Sequence, residues 1–234
     1  MIPPAAIPSA AIPPGRPIRV VGDVHGDIAG FRAALAGEHF IVQLGDLVDE
    51  GPDSAGVLAL MFDRIAEKRG LFLLGNHDFK LARALAGHKV SVGPALAATL
   101  GQLDPALRAR ARAEIDRAPA WLRQGRRLFV HGGFHTAMLD QPPPRGIAGR
   151  AEGVLARALF GEPTGHRQPD GYPERSLAWV NRIPAGYIVY CGHDRRSNDG
   201  RPWTTTGAAG GTAVFLDTGA GKGGHLSWID LPPG

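Results

Sequence analysis

Five short motifs, spread along most of the chain, each combine glycine with side chains that can bind a metal ion. Every one of them follows a short apolar run of the kind that forms a buried strand. The fold therefore has to bring the ends of five strands together and present polar side chains there. The motifs lie at residues 22–26 (GDVHG), 45–51 (GDLVDEG), 75–78 (GNHD), 130–133 (VHGG) and 191–194 (CGHD).

The first part of the chain alternates strand patterns with helix patterns. Strands joined by helices predict a largely parallel sheet, and the continuous apolar character of the runs indicates cover on both faces. Ligands gather at the carboxyl ends of such strands, so we expect all five motifs at one edge. The predicted strands are 18–21, 40–44, 71–74, 128–130 and 187–190, and the first three are followed by predicted helices at 28–36, 54–68 and 79–86.

The motifs supply a complete set of ligands for a hydrolase with two metal ions. They contain two aspartates, three histidines and one asparagine suited to metal binding, and a further histidine and aspartate remain for proton transfer. Nitrogen and oxygen donors without a thiolate favour Mn²⁺, Fe or a mixed pair over a closed structural zinc site. Two such ions about 3.5 to 4 Å apart can acidify a water molecule and neutralise phosphoryl oxygens.

In this order, the motifs resemble those of the calcineurin-like metallophosphoesterases. The resemblance extends from residue 19 to residue 231 and points to the branch that includes phosphoprotein phosphatases, bis-nucleosyl tetraphosphatases and the phosphatase module of bacterial polynucleotide kinase-phosphatases. It implies an α/β fold, a four-layer α/β/β/α sandwich of two mixed β-sheets flanked by helices. The stretches most similar to the third group are GPDS at 51–54, ALFGEPTG at 158–165, PER…W at 173–179 and LDTG…GG at 216–224.

The resemblance implies a metal-binding role for six residues. Asp23 and His25 are expected to bind one ion, and Asp46 is expected to bridge both ions. The implied cofactors are two divalent metal ions, Mn²⁺ or Fe or both, with Zn²⁺ or Ni²⁺ as alternatives. The ligands expected for the second ion are Asn76, His131 and His193.

The resemblance also implies the catalytic and substrate-binding residues. His77, hydrogen-bonded to Asp49, is expected to donate a proton to the leaving alkoxide. Arg175 is the candidate for a second arginine that clamps phosphate, and Asn76 and Glu50 complete the candidate substrate-binding set.

One position departs from the family pattern. The second motif of the family usually ends in Asp-Arg-Gly, with the arginine gripping substrate phosphate, whereas here Glu50 stands between Asp49 and Gly51. A carboxylate in place of a bidentate cation removes a charge-assisted contact and repels phosphate. Three interpretations stay open: Glu50 is held away by a salt bridge, it favours a less charged diester, or it marks reduced activity.

The expected activity is hydrolysis of a phosphomonoester, such as a nucleotide, an RNA end or phosphoserine and phosphothreonine. The alternatives are a phosphodiesterase or a dinucleoside polyphosphate hydrolase, with a phosphorylated small molecule, nucleic-acid end or phosphoprotein as the partner. A non-catalytic module that binds metal or phosphate is the rival from another class, and Glu50 motivates it. The pair of His77 and Asp49 argues against that rival, because a binding module needs no proton donor.

Composition predicts a cytoplasmic enzyme with one folded domain. Residues 1–17 are rich in Pro and Ala, lack a basic start and predict a flexible tail, whereas 18–234 form the metallophosphoesterase domain. No apolar stretch reaches the roughly 18 residues that a membrane span needs. The single cysteine, Cys191, ends an apolar run and is expected in the core.

An arginine-rich segment separates the third motif from the fourth. Residues 88–127 predict a helical insertion in which Leu103, Leu107, Ala111 and Ile115 form one apolar face. Its arginines form either a solvated helix face or a cap that steers a polyanion, in a chain of net charge +4. His135, just after the fourth motif, either lines the site or lies in a solvated loop. The arginines are Arg108, Arg110, Arg112, Arg117, Arg123, Arg126 and Arg127.

Overall fold

Two mixed β-sheets stack face to face and carry helices on their outer sides. The computed structural model describes residues 12–147, 149–168, 171, 173–197 and 199–233. The strands are β1 (Ile18–Val21), β2 (Phe40–Gln43), β3 (Gly70–Phe72), β4 (Trp121–Gln124), β5 (Arg127–Val130), β6 (Glu162–Arg167), β7 (Pro173–Ser176), β8 (Ile188–Cys191), β9 (Trp203–Thr206), β10 (Thr212–Phe215) and β11 (Trp228–Leu231). The α-helices are α1 (Ile28–Ala34), α2 (Ser54–Ala66), α3 (Asn76–Leu85), α4 (Pro94–Gln102), α5 (Pro105–Arg117) and α6 (Gly153–Phe160).

The first sheet has the strand order β11-β1-β2-β3. Strands β1, β2 and β3 are parallel, whereas β11 is antiparallel to β1. The carboxyl ends of the three parallel strands therefore meet at one edge, where the first three motifs begin.

The second sheet has the strand order β4-β5-β8-β10-β9. Strands β5, β8 and β10 are parallel, and the antiparallel strands β4 and β9 form its edges. The fourth motif follows β5 and the fifth follows β8. Because these strands are parallel, both motifs lie at one edge of the second sheet. Strands β6 and β7 pair separately as a small antiparallel hairpin.

Alternate residues of the central strands pack into different layers. Val20 and Val42 lie in the layer between the two sheets, whereas Val21 and Ile41 pack against the helices that cover the first sheet. On the far side of the second sheet, Trp179 and its neighbours form a third apolar cluster. The α/β/β/α sandwich predicted from the motifs is confirmed, and the strands are buried on both faces as their apolar sequences indicated.

Helix α3 begins earlier than the sequence indicated. The apolar pattern predicted a start at residue 79, but the helix begins at Asn76, directly after Gly75. Asp78 in its first turn accepts hydrogen bonds from the backbone NH groups of Gly75, Asp46 and Leu47. The polar residues of the third motif are therefore part of the helix, in which Asp78 accepts from the N-cap NH of Gly75 and also ties the helix start to the second motif.

The insertion at 88–127 contains α4, α5 and the edge strand β4. Leu103, Ala111 and Ile115 are buried in the cluster that covers the first sheet, as the apolar spacing predicted. Of the predicted tail, residues 1–11 lie outside the described residues, and Ile12 is buried between the sheets. The division into a tail and one domain stays a prediction.

Cys191 is fully buried at the end of β8, as predicted. No helix among the described residues is both long and apolar enough to span a membrane.

The layer between the sheets should tolerate truncation poorly. Phe129 is completely buried there and stacks on Tyr190 with ring centres 5.3 Å apart. Phe129→Ala should lower the free energy of unfolding in urea by about 3 to 5 kcal/mol. Phe160→Ala, at a side chain that is 37% exposed, should cost under about 1 kcal/mol. Equal losses for the two variants would contradict the assignment of this core.

Candidate metal centre

The strand ends surround a cavity of about 400 Å³. Residues from the first three motifs and the fifth line it, together with two cationic side chains from later segments. His131 of the fourth motif lies beneath it and is completely buried. The lining residues are Asp23, His25, Asp46, Glu50, Asn76, His77, Arg175, His193 and Lys222.

Asp46 lies at the centre of this cluster. Its carboxylate is buried, and Oδ2 is 3.4 Å from His131 Nε2 and 3.7 Å from His25 Nε2. Donors bound about 2.1 Å from one ion lie roughly 3 to 3.5 Å apart, so the spacing to His131 fits coordination of one ion and the spacing to His25 is slightly longer. Oδ1 accepts a hydrogen bond from the backbone NH of His77 at 2.9 Å, which fixes the plane of the carboxylate.

Two groups of donors share Asp46. The first contains His25 and His77, and the second contains His131 and His193, with the donor atoms of each group within 4.8 Å of one another. Asn76 joins the second group, since its Oδ1 is 3.0 Å from His131 Nε2. The residues present therefore fit two metal ions that share one carboxylate.

The imidazole rings are oriented by hydrogen bonds on their far side. The Nδ1 atoms of His25 and His131 each donate to a backbone carbonyl, Val48 O and Leu44 O respectively, at 3.0 Å. The Nε2 atoms consequently point to the centre of the cluster, as ligands held by an outer hydrogen bond do. The Nδ1 atom of His193 lies 3.2 Å from His131 Nε2, so this nitrogen faces the second group of donors, which suits a metal ligand.

Asp23 joins the first motif to the fifth. Its carboxylate accepts two hydrogen bonds from the backbone NH of His193, at 3.0 and 3.1 Å. A side chain at Gly192 would overlap the Asp23 carboxylate, so the fifth motif needs glycine at that position. Asp23 Oδ2 is 3.9 Å from His25 Nε2, and its role as a ligand of the first ion stays a prediction.

Backbone strain is concentrated at this cluster. Six non-glycine residues of the described chain have positive φ, and all but Lys68 belong to the motifs. Such conformations cost about 1 to 3 kcal/mol each and persist where the surrounding structure demands them, often at functional sites. The five residues are His25 (φ 45°), Asp46 (φ 58°), Asp49 (φ 72°), Glu50 (φ 66°) and His193 (φ 60°).

A hydrogen-bonded chain leads from the cavity into the insertion. His77 Nδ1 is 2.7 Å from Asp49 Oδ2, as the resemblance implied. The other carboxylate oxygen, Asp49 Oδ1, accepts from Thr99 Oγ1 of α4 at 2.6 Å. Thr99 is buried and was not predicted, because it lies outside the motifs and its contact with Asp49 joins residues 50 apart.

Asp78 is a second residue that the sequence interpretation missed. It is completely buried and holds the backbone of Asp46 and Leu47 through two hydrogen bonds, at 2.8 and 3.0 Å. Its place in the GNHD motif was the available signal. Burial and the charge of Asp46 raise the pKa of Asp78 to about 7.

Burial and charge pairing oppose each other in this cluster. Burial lowers the pKa of His131 and of His77, but nearby carboxylates outweigh it and raise both pKa values to about 9. For His25 burial dominates and lowers the pKa to about 4. Burial and the charge of His131 lower the pKa of His193, and Arg175 adds to this effect. A histidine that binds a metal ion is neutral. Metal binding would therefore release the proton that the neighbouring carboxylates favour on the His131 ring.

The candidate substrate residues lie at the rim. Glu50 and Arg175 both line the cavity, and Arg175 also donates to Phe160 O at 2.8 Å. Lys222 lines it as well, with Nζ 3.2 Å from His25 Nε2. Lys222 was not predicted, although it lies inside the LDTG…GG stretch, since the resemblance assigned no role to that position.

The insertion arginines do not reach this cavity. Within the described residues, none of the seven arginines of the insertion lines the metal cavity. Arg110 forms an ion pair with Asp63, which joins α5 to α2. Arg108 donates to two backbone carbonyls at the end of α4, so both side chains stabilise helix contacts. His135 accepts from Ala137 NH and likewise does not line the cavity, which favours the loop interpretation of that residue.

Two stacked mixed sheets with histidine, aspartate and asparagine donors at one edge define a metallophosphoesterase. A family model described as calcineurin-like phosphoesterase matches residues 16–196. The chain belongs to this family and is a hydrolase of phosphate esters, with a dimetal centre as the family's common feature.

Similar proteins come from one of the groups that the motifs resemble. The asymmetrical bis(5′-nucleosyl)-tetraphosphatase PrpE of Anoxybacillus flavithermus is 24% identical over 91% of this chain and 89% of its own length. The protein of the same name from Halalkalibacterium halodurans is 27% identical over the same shares. In Bacillus velezensis the identity is 31%, over 82% of this chain and 74% of the relative.

Solved structures share the fold. A protein proposed to be a diadenosine tetraphosphatase aligns with a TM-score of 0.59 at 23% identity, over 94% of this chain and 95% of its own. A serine/threonine phosphatase from Saccharomyces cerevisiae aligns with a TM-score of 0.63 at 16% identity, over 94% of this chain and 74% of its own. At these identities the likeness concerns the fold alone.

The contact between Thr99 and Asp49 should contribute measurably to stability. Thr99→Val keeps the shape of the side chain but removes the donor to a buried carboxylate, so the free energy of unfolding should fall by about 1.5 to 3 kcal/mol. Thr99→Ser retains the hydroxyl and should lose less than half as much. Urea unfolding measures both, and equal losses would contradict the role of the hydrogen bond.

Proposed function

We propose that the protein hydrolyses a dinucleoside polyphosphate with the help of two divalent metal ions. One observation carries this choice: Glu50 lines the metal cavity at the position where the family usually has an arginine. A terminal phosphomonoester carries two negative charges near neutral pH, whereas an internal phosphate of a polyphosphate carries one. A carboxylate at the rim therefore disfavours the monoester more strongly. The similar proteins from other bacteria are bis(5′-nucleosyl)-tetraphosphatases by name, which supports the same substrate class.

Asp46, His131 and His193 are the core of the metal site in this proposal. Asp46 would be shared by both ions, Asp23 and His25 would hold one of them, and Asn76 would help to hold the other. The bound ions supply an acidified water molecule and neutralise phosphoryl charge. The oxygen and nitrogen donors favour Mn²⁺ or Fe over a closed zinc site.

His77 holds a proton close to the position of the leaving oxygen. Its Nδ1 is fixed by Asp49, so Nε2 faces the cavity, 4.0 Å from Asp46 Oδ2. Arg175 binds the phosphate from the side of His193. The nucleotide substrate and the single cysteine are consistent with the cytoplasm as the compartment of this reaction.

A phosphomonoesterase is the second candidate, and the pair of His77 and Asp49 favours it. A proton donor assists an alkoxide leaving group far more than a triphosphate, which leaves readily as an anion. The two candidate functions therefore differ in the leaving group: an alkoxide, which needs a proton from His77, or a triphosphate, which does not.

A substrate panel tests the proposal directly. The purified protein with added Mn²⁺ would be assayed with diadenosine tetraphosphate, p-nitrophenyl phosphate, bis-p-nitrophenyl phosphate, 2′,3′-cyclic nucleotide and a phosphopeptide. We expect the highest kcat/KM for diadenosine tetraphosphate. A higher value for a monoester or phosphopeptide would favour the second candidate, and turnover of nothing would favour a binding module.

The bridging role of Asp46 predicts a loss of metal. Asp46→Asn should reduce bound metal to one ion per chain or fewer and abolish turnover, because both ions lose a shared carboxylate. His166→Gln, on the exposed strand β6, should change neither property. Elemental analysis that finds two ions per chain in Asp46→Asn would exclude the bridging role.

The role of His77 predicts a dependence on the leaving group. His77→Ala should lower kcat/KM for alkyl phosphates by about a hundredfold or more, the usual size of a general-acid contribution. The loss should be smaller for p-nitrophenyl phosphate and diadenosine tetraphosphate, whose leaving groups need no proton. Equal losses for all three would mean that His77 only positions the metal ligands.

A further inference from the structure

The rim of the metal cavity lacks the arginine that the second motif of the family usually provides. Glu50 occupies that position, in a backbone conformation with φ of 66° next to Asp49 at 72°. The carboxylate lines the cavity and repels phosphate. Positive charge for substrate binding must therefore come from other segments of the chain.

Lys222 supplies a cation at this rim. The residue lies 172 positions after Glu50 and lines the same cavity, with its Nζ 3.2 Å from His25 Nε2. Arg175 lines the cavity beside the other donor group, where its charge acts on His193. The two cations therefore flank the metal ligands from different sides.

The loop that carries Lys222 is packed against the first motif. Within it, Lys222 NH and Gly224 NH both donate to Gly219 O, at 3.1 and 2.8 Å. Gly221 has φ of 70°, and a Cβ at this position would overlap the carbonyl oxygen of His25. The glycine thus allows the loop to lie directly on His25, which delivers the lysine side chain to the cavity.

The charge of Lys222 is available to a ligand. Among the described residues its ammonium forms no ion pair within 4.0 Å, its charge acts at longer range on the buried carboxylate of Asp217, and its hydrogen bond goes to His25 Nε2. A ring nitrogen that binds a metal ion cannot also accept that hydrogen bond, so the exposed ammonium is then free to donate to a bound phosphate. Burial lowers the pKa of His25, the charge of Asp46 opposes this shift and that of Lys222 adds to it.

We propose that Lys222 binds the phosphate group next to the one being hydrolysed and thereby selects substrates with linked phosphates. This inference rests on the proposed function, because only such substrates carry a second phosphate. The cation stands at position 222 and not at position 50, so it meets the neighbouring phosphate, while Glu50 disfavours a doubly charged terminal group. Lysine suits this role because its ammonium group attracts a phosphate as a point charge and does not require a bidentate geometry.

The test compares two ligands that differ by one phosphate, ADP and AMP. Dissociation constants would be measured by calorimetry on the Mn²⁺-loaded protein, with metal content checked by elemental analysis. Lys222→Met should weaken ADP binding about tenfold or more, as loss of a charge-assisted hydrogen bond does, and AMP binding by less than about threefold. Lys89→Met removes an exposed lysine that does not line the cavity and should change neither constant.

Two further variants make the test specific. Lys222→Arg should keep most of the difference between ADP and AMP, because it keeps the charge. Adding Glu50→Arg to Lys222→Met should recover part of the lost ADP binding, because it returns a cation to the rim.

Three results would overturn the inference: equal weakening of ADP and AMP, no change in either, or loss of bound metal in Lys222→Met. The proposed function is judged separately, by turnover of diadenosine tetraphosphate in the unaltered protein. If that turnover is absent while the selective loss of ADP binding is found, the proposed function falls and Lys222 remains a phosphate-binding residue.

Discussion

The carboxylate of Asp46 is the point on which the site depends. One of its oxygens faces His25 and His131, and the other is fixed by the backbone NH of His77. The residue adopts a left-handed backbone conformation that costs free energy, and buried Asp78 holds it there through two backbone hydrogen bonds. Burying a carboxylate without such partners would cost a large amount of free energy. The surrounding histidines and backbone donors are therefore needed to keep Asp46 buried.

The two-sheet architecture makes this arrangement possible. Each sheet contributes parallel strands whose carboxyl ends meet at one edge, and the apolar layer between the sheets fixes their relative position. Donors from the first sheet, such as His25, therefore meet donors from the second, such as His131, across a rigid core. Hydrogen bonds between residues far apart in the sequence then join the two sides of the site, as the backbone NH of His193 does when it donates to Asp23.

In the proposed function, substrate binding depends on side chains that surround this centre. Glu50, Arg175 and Lys222 line the rim, and they come from three distant parts of the chain. A change in any one of them alters the charge presented to the substrate and leaves the identity of the donors around Asp46 unchanged. A phosphoesterase fold can therefore keep its metal chemistry while the preferred phosphate substrate changes.

The sequence alone determined the fold class and the set of donors, because each motif directly follows a strand and its chemistry is local. It placed β1 correctly and came within a few residues for the other core strands. It misjudged the start of α3, where Asp78 is held by hydrogen bonds from the backbone NH groups of Asp46 and Leu47, 32 and 31 residues earlier in the chain. Only the tertiary structure brought Thr99 to Asp49 and Lys222 to His25, because these contacts depend on how the insertion and the last loop pack against the first sheet.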